Sequence, residues 1–133
     1  MALTVRRPLY VAAIIERFDN HMLIAQGESR GDGTSLWHFP RGRANPGESA
    51  EAAMRRVAKE GLGIEIEVVV GQPPLVETVD GVSVELRYFF CGIIRGEPAS
   101  ADGRELRWVS KPHLREYEFD RPAQVVVEWL LET

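Results

Sequence analysis

The first third of the chain carries short apolar runs separated by polar turns, a pattern typical of β-strands. Apolar residues at 10–15 and 22–25 flank the turn-forming segment 18–21, which predicts a β-hairpin. Residues 26–36 contain three glycines and no periodicity, so we expect a mobile loop there. Residues 37–39 predict a short strand that ends at Pro40, because proline cannot donate a hydrogen bond to a sheet.

Helical spacing of apolar residues begins after Ser49, which is suited to cap a helix, and continues to Leu62, where Gly61 and Gly63 end it. Residues 64–70 alternate between apolar and charged and predict a strand. Apolar arms at 75–79 and 82–94 flank Asp80-Gly81, a strong hairpin signal. A polar loop at 95–104 precedes a last strand at 106–109, and a closing helix has an apolar stripe made of Val125, Val126, Trp129 and Leu130.

This order of strands, helix, strands and helix predicts an α/β fold in which helices cover a mixed sheet. At 133 residues and 44% hydrophobic composition, the chain fits a single domain spanning residues 1–133. Its longest apolar runs are too short to cross a bilayer and the N-terminus lacks a signal-peptide pattern, so we expect a cytoplasmic protein without a membrane partner. A net charge of -4 argues against a surface for duplex nucleic acid.

The positions of the cysteine and the histidines do not favour a catalytic role for them. Cys91 is the only cysteine and lies in an apolar run, which favours a small core residue over a nucleophile. His21, His38 and His113 are scattered without metal-ligand spacing, so surface or structural roles are favoured for all three.

The segment GRANPGESAEAAMRRVAKEGLGI, residues 42–64, resembles the signature box of the Nudix hydrolases. The pattern is G, five residues, E, seven residues, then R-E-U-x-E-E-x-G-U with U aliphatic, and six positions match in register: Gly42, Glu48, Arg56, Glu60, Gly63 and Ile64. Val57 and Gly61 stand where the pattern has glutamates. Positions 57, 60 and 61 lie within about 100° of one another on a helix, so these losses fall on one face.

The resemblance implies the Nudix fold, a mixed β-sheet sandwiched between helices in an α/β/α arrangement. It also implies a divalent cation, Mg²⁺ or Mn²⁺, which prefers oxygen ligands and bridges a substrate diphosphate. Glu60, the backbone carbonyl of Arg41 and Asp102 are the ligands that the resemblance leaves for this metal. Glu48 and Arg56 are expected to form the salt bridge that ties the box loop to its helix.

Acidic residues near the last strand are candidates to replace the missing glutamates. The stretch RGEPASADGRELRW resembles the loop from which MutT-like members supply a metal-binding glutamate, and Asp102 matches that position. Glu105 is a second candidate and Glu85 a third. The alternative for Asp102 is a solvated turn, since acidic loop residues are usually exposed.

Similarity to MutT-like nucleotide pyrophosphohydrolases extends to VAAIIERFDNHMLIAQ, WHFPRG and YEFDRPAQVVVEWL. It implies that Asp120 reads a nucleotide base, although Asp120 is equally suited to cap the last helix. Phe39 is interpreted as a core residue or as an aromatic ring that flanks a bound base. Relatives carry phosphate-binding arginines where this chain has residues 26–28, and Arg30 is a possible substitute.

Two functions follow as hypotheses. The first is a Nudix hydrolase that acts on a nucleoside diphosphate linked to another moiety, with catalysis by Glu60, Asp102 or Glu105 weakened by the losses at 57 and 61. The second is a catalytically inactive module that binds a nucleotide or a protein. The expected ligand is a small nucleotide, and both a monomer and a homodimer fit the sequence.

Overall fold

The computed structural model describes residues 7–17, 19–79 and 81–132. Eight strands, two α-helices and a 3₁₀ helix follow one another in this part of the chain. The strands are β1 Leu9–Arg17, β2 His21–Ser29, β3 Ser35–His38, β4 Arg41–Arg43, β5 Glu65–Gly71, β6 Leu75–Val79, β7 Val82–Arg95 and β8 Leu106–Ser110. The helices are α1 Ala50–Leu62, the 3₁₀ helix Lys111–Glu116 and α2 Arg121–Glu132.

The sheet is mixed, as predicted. Strand β1 runs parallel to β7, with pairs from Leu9↔Glu85 to Ile15↔Cys91, while β5 and β6 pair antiparallel with β7. Strand β2 pairs antiparallel with β3 and β8. The β1–β2 hairpin, paired at Arg17↔His21, joins the two groups of strands.

Side chains of β1 alternate between two cores, one on each face of the sheet. Val11, Ala13 and Ile15 pack with the buried residues of α1, whereas Ala12 and Ile14 pack with those of α2. This alternation follows from the two-residue period of a strand. A sheet buried on both faces between two helices confirms the predicted α/β/α architecture.

Helix α1 begins and ends where its sequence predicts. The Ser49 side chain accepts a hydrogen bond from the Ala52 N–H, and Gly63 ends the helix at a φ of 70°, donating its N–H to Lys59. The left-handed conformation at this position favours glycine because a Cβ would be strained there. The box helix is therefore specified locally, by its caps and its apolar face.

The segment predicted as a mobile loop, residues 26–36, is strand at both ends, so the predicted loop was too long, and only residues 30–34 lie between the strands. Strand β2 continues to Ser29, and β3 begins at Ser35, with Gln26↔Trp37 and Ser29↔Ser35 paired. The short strand β4, which pairs with β1, and the 3₁₀ helix were not predicted. Pairing of β2 with β3, and of β4 with β1, supplied the backbone hydrogen bonds that local periodicity did not reveal.

Smaller corrections concern exposed apolar residues. Val70 is 49% exposed because the register of β5 on β7 shifts between Val68 and Val70. In α2, Val125 and Trp129 are 46% and 42% exposed, so the buried stripe is centred on other residues: Ala123, Val126, Val127 and Leu130. Cys91 is buried, as predicted.

The predicted turns include Phe18 and Asp80, which lie outside the described residues, as do residues 1–6 at the N-terminus. Strands β6 and β7 nevertheless form the predicted hairpin, with Val79↔Val82 as its last pair. Within the described ranges, neither helix is long and apolar enough to span a membrane.

Candidate ligand cleft

A cavity of about 630 Å³ opens beside the C-terminal turn of α1. Its other walls come from the β2–β3 hairpin, from the residues just before and within β4, and from the loop that precedes β8. Its charged lining is balanced between three arginines and three acids: Arg30, Arg41, Arg104, Glu28, Asp102 and Asp120. The box helix and the loop before β8 therefore meet at one cleft.

The box loop is tied to α1 by a salt bridge between Glu48 and Arg56. Arg56 donates from Nε and Nη2 to the two Glu48 carboxylate oxygens at 2.9 and 3.0 Å, and Nη2 also donates to the Arg43 carbonyl at 2.8 Å. The Arg56 hydrogen bond, aided by the Asn45 N–H, lowers the pKa of Glu48. The structural role expected of these two residues matches this geometry.

Two positions that carry glutamates in the Nudix pattern face the cleft as Val57 and Gly61. Val57 also packs against β4, since a Cβ added at Gly42 would lie 2.8 Å from its Cγ2. At Gly61 an added Cβ would meet no atom within 4 Å, which leaves open space on the cleft side of the helix. The cleft face of α1 thus presents a hydrophobic group and a gap.

Glu60, predicted as a metal ligand and catalytic residue, lies outside the cleft lining. Its side chain is 66% exposed and its carboxylate pairs with Arg56 Nη1 at 3.0 Å. Glu105, the second predicted catalytic acid, also lies outside the lining and pairs with Arg107. Glu85 is exposed on β7. The structure therefore places these three carboxylates away from the cleft.

Asp102 lines the cleft, but it lies in an exposed turn, as the alternative interpretation expected, with its side chain 61% exposed and its carboxylate already engaged. Ser100 donates its hydroxyl to Oδ1, the Arg104 N–H donates to the same oxygen at 3.1 Å, and the Arg104 side chain lies 3.5 Å from Oδ2. The Ser100 hydrogen bond is the main cause of a lowered Asp102 pKa. Asp102 is thus a charged acceptor in the cleft wall.

These residues do not fit a divalent cation held by the box. Glu60 and Asp102, two of the three predicted ligands, are not brought together, because only Asp102 lines the cleft. Across residues 7–17, 19–79 and 81–132, no three Asp, Glu, His or Cys side chains form a group that could hold a metal. Mg²⁺ needs several hard oxygen ligands in octahedral geometry. The chemistry of this donor set is too poor for such a site.

Arg41 and Asp120 form a largely buried ion pair in the cleft wall. Arg41 Nη1 lies 2.7 Å from Asp120 Oδ2, and the side chains are only 12% and 18% exposed. The contact is ionic, since Nη1 has no acceptor at hydrogen-bonding angles. Asp120 Oδ1 accepts a hydrogen bond from the Ala123 N–H at 3.1 Å. Asp120 therefore caps α2, which is one of the two roles that the sequence suggested for it.

Phe39 is a core residue, and its predicted role beside a bound base is not supported. The side chain is 1% exposed and its ring packs against Phe119 and Tyr88, with centroids at 6.0 and 6.2 Å. A ring enclosed in this way has no face left for a ligand. The sequence interpretation of Phe39 as a packing residue is the correct one.

Two cleft residues were missed by sequence reasoning. His38 was set aside for lack of metal-ligand spacing, yet it lines the cleft, where burial and then Arg41 lower its pKa. The available signal was strand alternation, because a neighbour of the core residue Phe39 points to the opposite side of the chain. Arg104 joins Asp102 to Glu28 across the cleft, with 3.2 Å between Nη2 and Glu28 Oε1.

Comparison with known proteins agrees with this fold. The NUDIX domain family pattern matches residues 6–130, nearly the whole chain. The CTP pyrophosphohydrolase of Escherichia coli strain K12 is 33% identical over 107 residues, covering 80% of this chain and 78% of that protein. The chain therefore belongs to the Nudix hydrolase family.

Solved structures give the same result. The solution structure of the E. coli ORF135 protein is 30% identical, with a TM-score of 0.72, and the match covers 96% of this chain and 87% of that one. A MutT structure from work on the Aliivibrio salmonicida and Vibrio cholerae proteins is 27% identical, with a TM-score of 0.75 and coverages of 96% and 98%. Nudix proteins generally use a divalent metal such as Mg²⁺.

Proposed function

We propose that this chain binds a nucleoside diphosphate linked to another moiety, such as a nucleoside triphosphate, and hydrolyses it only weakly. The name of the E. coli relative supports a nucleotide ligand, because that protein is a CTP pyrophosphohydrolase. A cavity of about 630 Å³ is in the size range of small-ligand sites. The cleft belongs to the part of the fold where the Nudix box lies.

One observation carries the proposal of weak turnover. Val57 and Gly61 face the cleft where the family pattern has glutamates, and the surviving Glu60 is paired with Arg56 in solvent. Loss of a general base typically costs about 10²- to 10⁴-fold in rate. Because no group of three Asp, Glu, His or Cys side chains forms among the described residues, we expect turnover to be reduced by at least this factor. Binding is expected to persist, since the cavity and its arginines remain.

Arginine side chains are suited to hold the phosphates in place of a cation. Arg104 and Arg30 line the cleft. Arg104 pairs with Glu28 and Asp102. Arg30 donates one N–H from each of its three nitrogens, to Thr34 and Glu118. A guanidinium has five N–H donors, so both retain donors for phosphate oxygens. This supports the second hypothesis, a nucleotide-binding module without turnover, as the limiting case of the first.

The test combines turnover with equilibrium binding. Wild-type protein is incubated with Mg²⁺ or Mn²⁺ and a panel of nucleoside triphosphates and dinucleotides, and phosphate and pyrophosphate release is followed. Binding of the same ligands is measured by calorimetry in EDTA and in Mg²⁺. We expect binding in EDTA, with turnover far below the 1 to 10³ s⁻¹ that is typical of enzymes.

A restoring variant tests the vacated face of α1. Val57→Glu with Gly61→Glu returns two carboxylates to the cleft, and Val57→Gln with Gly61→Gln is the control of matched size. We expect the glutamate variant to bind Mn²⁺ more tightly and to raise turnover at least 100-fold over the glutamine control. Efficient Mg²⁺-dependent turnover by the wild type would overturn the proposal of weak catalysis, and absence of any nucleotide binding would overturn the proposed ligand.

A further inference from the structure

Helix α2 carries an exposed stripe on the side away from its buried residues. It consists of Arg121, Val125, Trp129 and Glu132, all of them exposed. With about 100° between successive residues of a helix, these side chains project within about 80° of one another. This outer stripe is therefore basic at its start, apolar in its middle and acidic at its end.

The charges of the outer stripe oppose the dipole of their own helix. An α-helix favours anions at its N-terminus and cations at its C-terminus. Arg121 is nevertheless the first residue of α2 and Glu132 the last. In the part of the chain that the structure describes, neither side chain forms an ion pair. The stability of α2 itself therefore gives no reason for this placement of charge.

The apolar middle of the outer stripe continues onto the edge of the sheet. The rings of Trp129 and Phe90 have their centroids 5.7 Å apart, and Phe90 is paired with Val70 on β5. Val70 is 49% exposed, and Val69, at the shift in register of the same strand, is 67% exposed. Strand β5 ends the sheet, since its pairing in the described residues is with β7. The helix and the sheet edge thus form one uncovered apolar patch.

The patch is large enough for a weak interface. With about 100 Å² for a fully exposed aliphatic side chain and about 250 Å² for tryptophan, it exposes roughly 250 Å² of apolar surface. A transient protein interface buries roughly 1,000 Å² over both partners, of which a little more than half is apolar. Two copies of the patch would supply about that apolar share.

We propose that the chain forms a homodimer in which the outer stripe packs antiparallel against the outer stripe of a second copy. Val125 then meets Trp129 of the second copy, and Arg121 meets its Glu132. A twofold axis repeats each contact, so the stripe is complementary to itself. Each Arg121 also lies beside the negative end of the neighbouring helix, which accounts for its position.

The order of the charges selects this occupant and this direction. A parallel arrangement would place arginine beside arginine and glutamate beside glutamate. A partner of unrelated sequence would not require opposite charges at the two ends of one stripe. The outer stripe lies outside the lining of the ligand cleft, so the inference goes beyond the proposed function and does not depend on it.

Sedimentation equilibrium, from low micromolar to millimolar protein, measures the dimer. For an interface of this size we expect a dissociation constant in the micromolar range. Val125→Glu places a charge in the apolar middle of the contact and should weaken dimerisation at least about tenfold. Gln124→Glu is the matched control, because it adds the same charge at an exposed position of α2 outside the stripe, and it should dimerise like the wild type.

Charge reversals test the antiparallel direction. Arg121→Glu and Glu132→Arg each bring like charges together at both ends of the dimer, so each variant alone should dimerise about three- to tenfold more weakly. An equimolar mixture of the two should regain the affinity of the wild type, because opposite charges then meet at both ends. Arg115→Glu makes the same change of charge in the 3₁₀ helix and should have no effect.

The outcomes decide the inference separately from the proposed function. A wild type that stays monomeric throughout this range overturns it, and so does a dimer that Val125→Glu leaves intact, since that dimer would use another surface. A mixture that associates no better than its two components overturns the antiparallel arrangement. Thermal unfolding checks each variant, and the exposed charge reversals carry the test if Val125→Glu does not fold. Failure of the wild type to bind nucleotides would leave the dimer standing.

Discussion

Replacing Gly42 with alanine is expected to force a methyl group into the side chain of Val57. The added Cβ would lie 2.8 and 2.9 Å from the two Val57 methyl carbons, well inside ordinary contact distance. Gly42 is not among the glycines with positive φ, so the backbone conformation itself suits alanine. The cost is therefore steric, and Val57 is the residue that must yield.

The expected magnitude follows from overpacking. Extra methyl groups in a packed site typically cost about 1–3 kcal/mol, which corresponds to a fall in Tm of roughly 4–12 °C for a domain of this size. Val57→Ala alone removes part of a half-buried side chain and is expected to cost about 1 kcal/mol. In the double variant the valine methyls are gone, so alanine at 42 should fit with little further cost.

A double-mutant cycle by urea unfolding measures this coupling. The double variant is expected to be more stable than the sum of the single effects predicts by about 1–2 kcal/mol, within the range for residues in contact. Gly61→Ala is the control, because a Cβ there meets no atom within 4 Å. Additive effects of the Gly42 and Val57 substitutions would show that Val57 does not contact β4 at Gly42, and the orientation of the helix face described above would be wrong.

Two further predictions concern titratable groups. The Arg56 hydrogen bond is the main cause of the lowered pKa of Glu48 in the folded protein. The charged carboxylate therefore stabilises the fold at pH values above 4.5, the ordinary pKa of a glutamate, and this contribution is lost as the pH falls through the lower pKa of the folded state. In urea unfolding, Glu48→Gln should therefore destabilise the protein at pH 7 and much less at pH 3. The control Glu51→Gln removes one partner of an exposed ion pair and should have little effect at either pH. An equal loss of unfolding free energy in Glu48→Gln at both pH values would contradict the predicted pH dependence. Burial raises the pKa of Cys91 to about 12, so its reaction with a thiol reagent at pH 8 should be at least about 100-fold slower in native buffer than in urea, and equal rates would refute its burial.

The bounds of the box helix, α1, could be predicted from local sequence. Ser49, the apolar spacing and Gly63 predicted the bounds of α1, because caps and helical periodicity depend on residues within one or two turns. The same register placed Val57 and Gly61 on one face, and both line the cleft. The bounds of β3 and the length of β2 were less predictable, since residues 26–29 are polar and glycine-containing and become strand only by pairing with β3.

The roles of single side chains needed the tertiary structure. Glu60 follows the family pattern, but its carboxylate can turn to Arg56 one helical turn away, and the sequence does not record which partner is preferred. His38 belongs to no recognised motif. It lines the cleft because β3 pairs with β2, and its pKa is lowered by burial and by the nearby charge of Arg41. Conversely, Phe39 looked suitable for a base and is enclosed by Phe119 and Tyr88.

Sequence alone thus determined the family and the α/β/α fold, because these depend on residue identity and on short-range periodicity. Tertiary structure decided which charged groups meet in the cleft. Arg41 and Asp120 are far apart in the chain, yet they form a close ion pair that leaves the carboxylate engaged. Such pairings depend on how distant strands and loops come together, and no local pattern encodes that geometry.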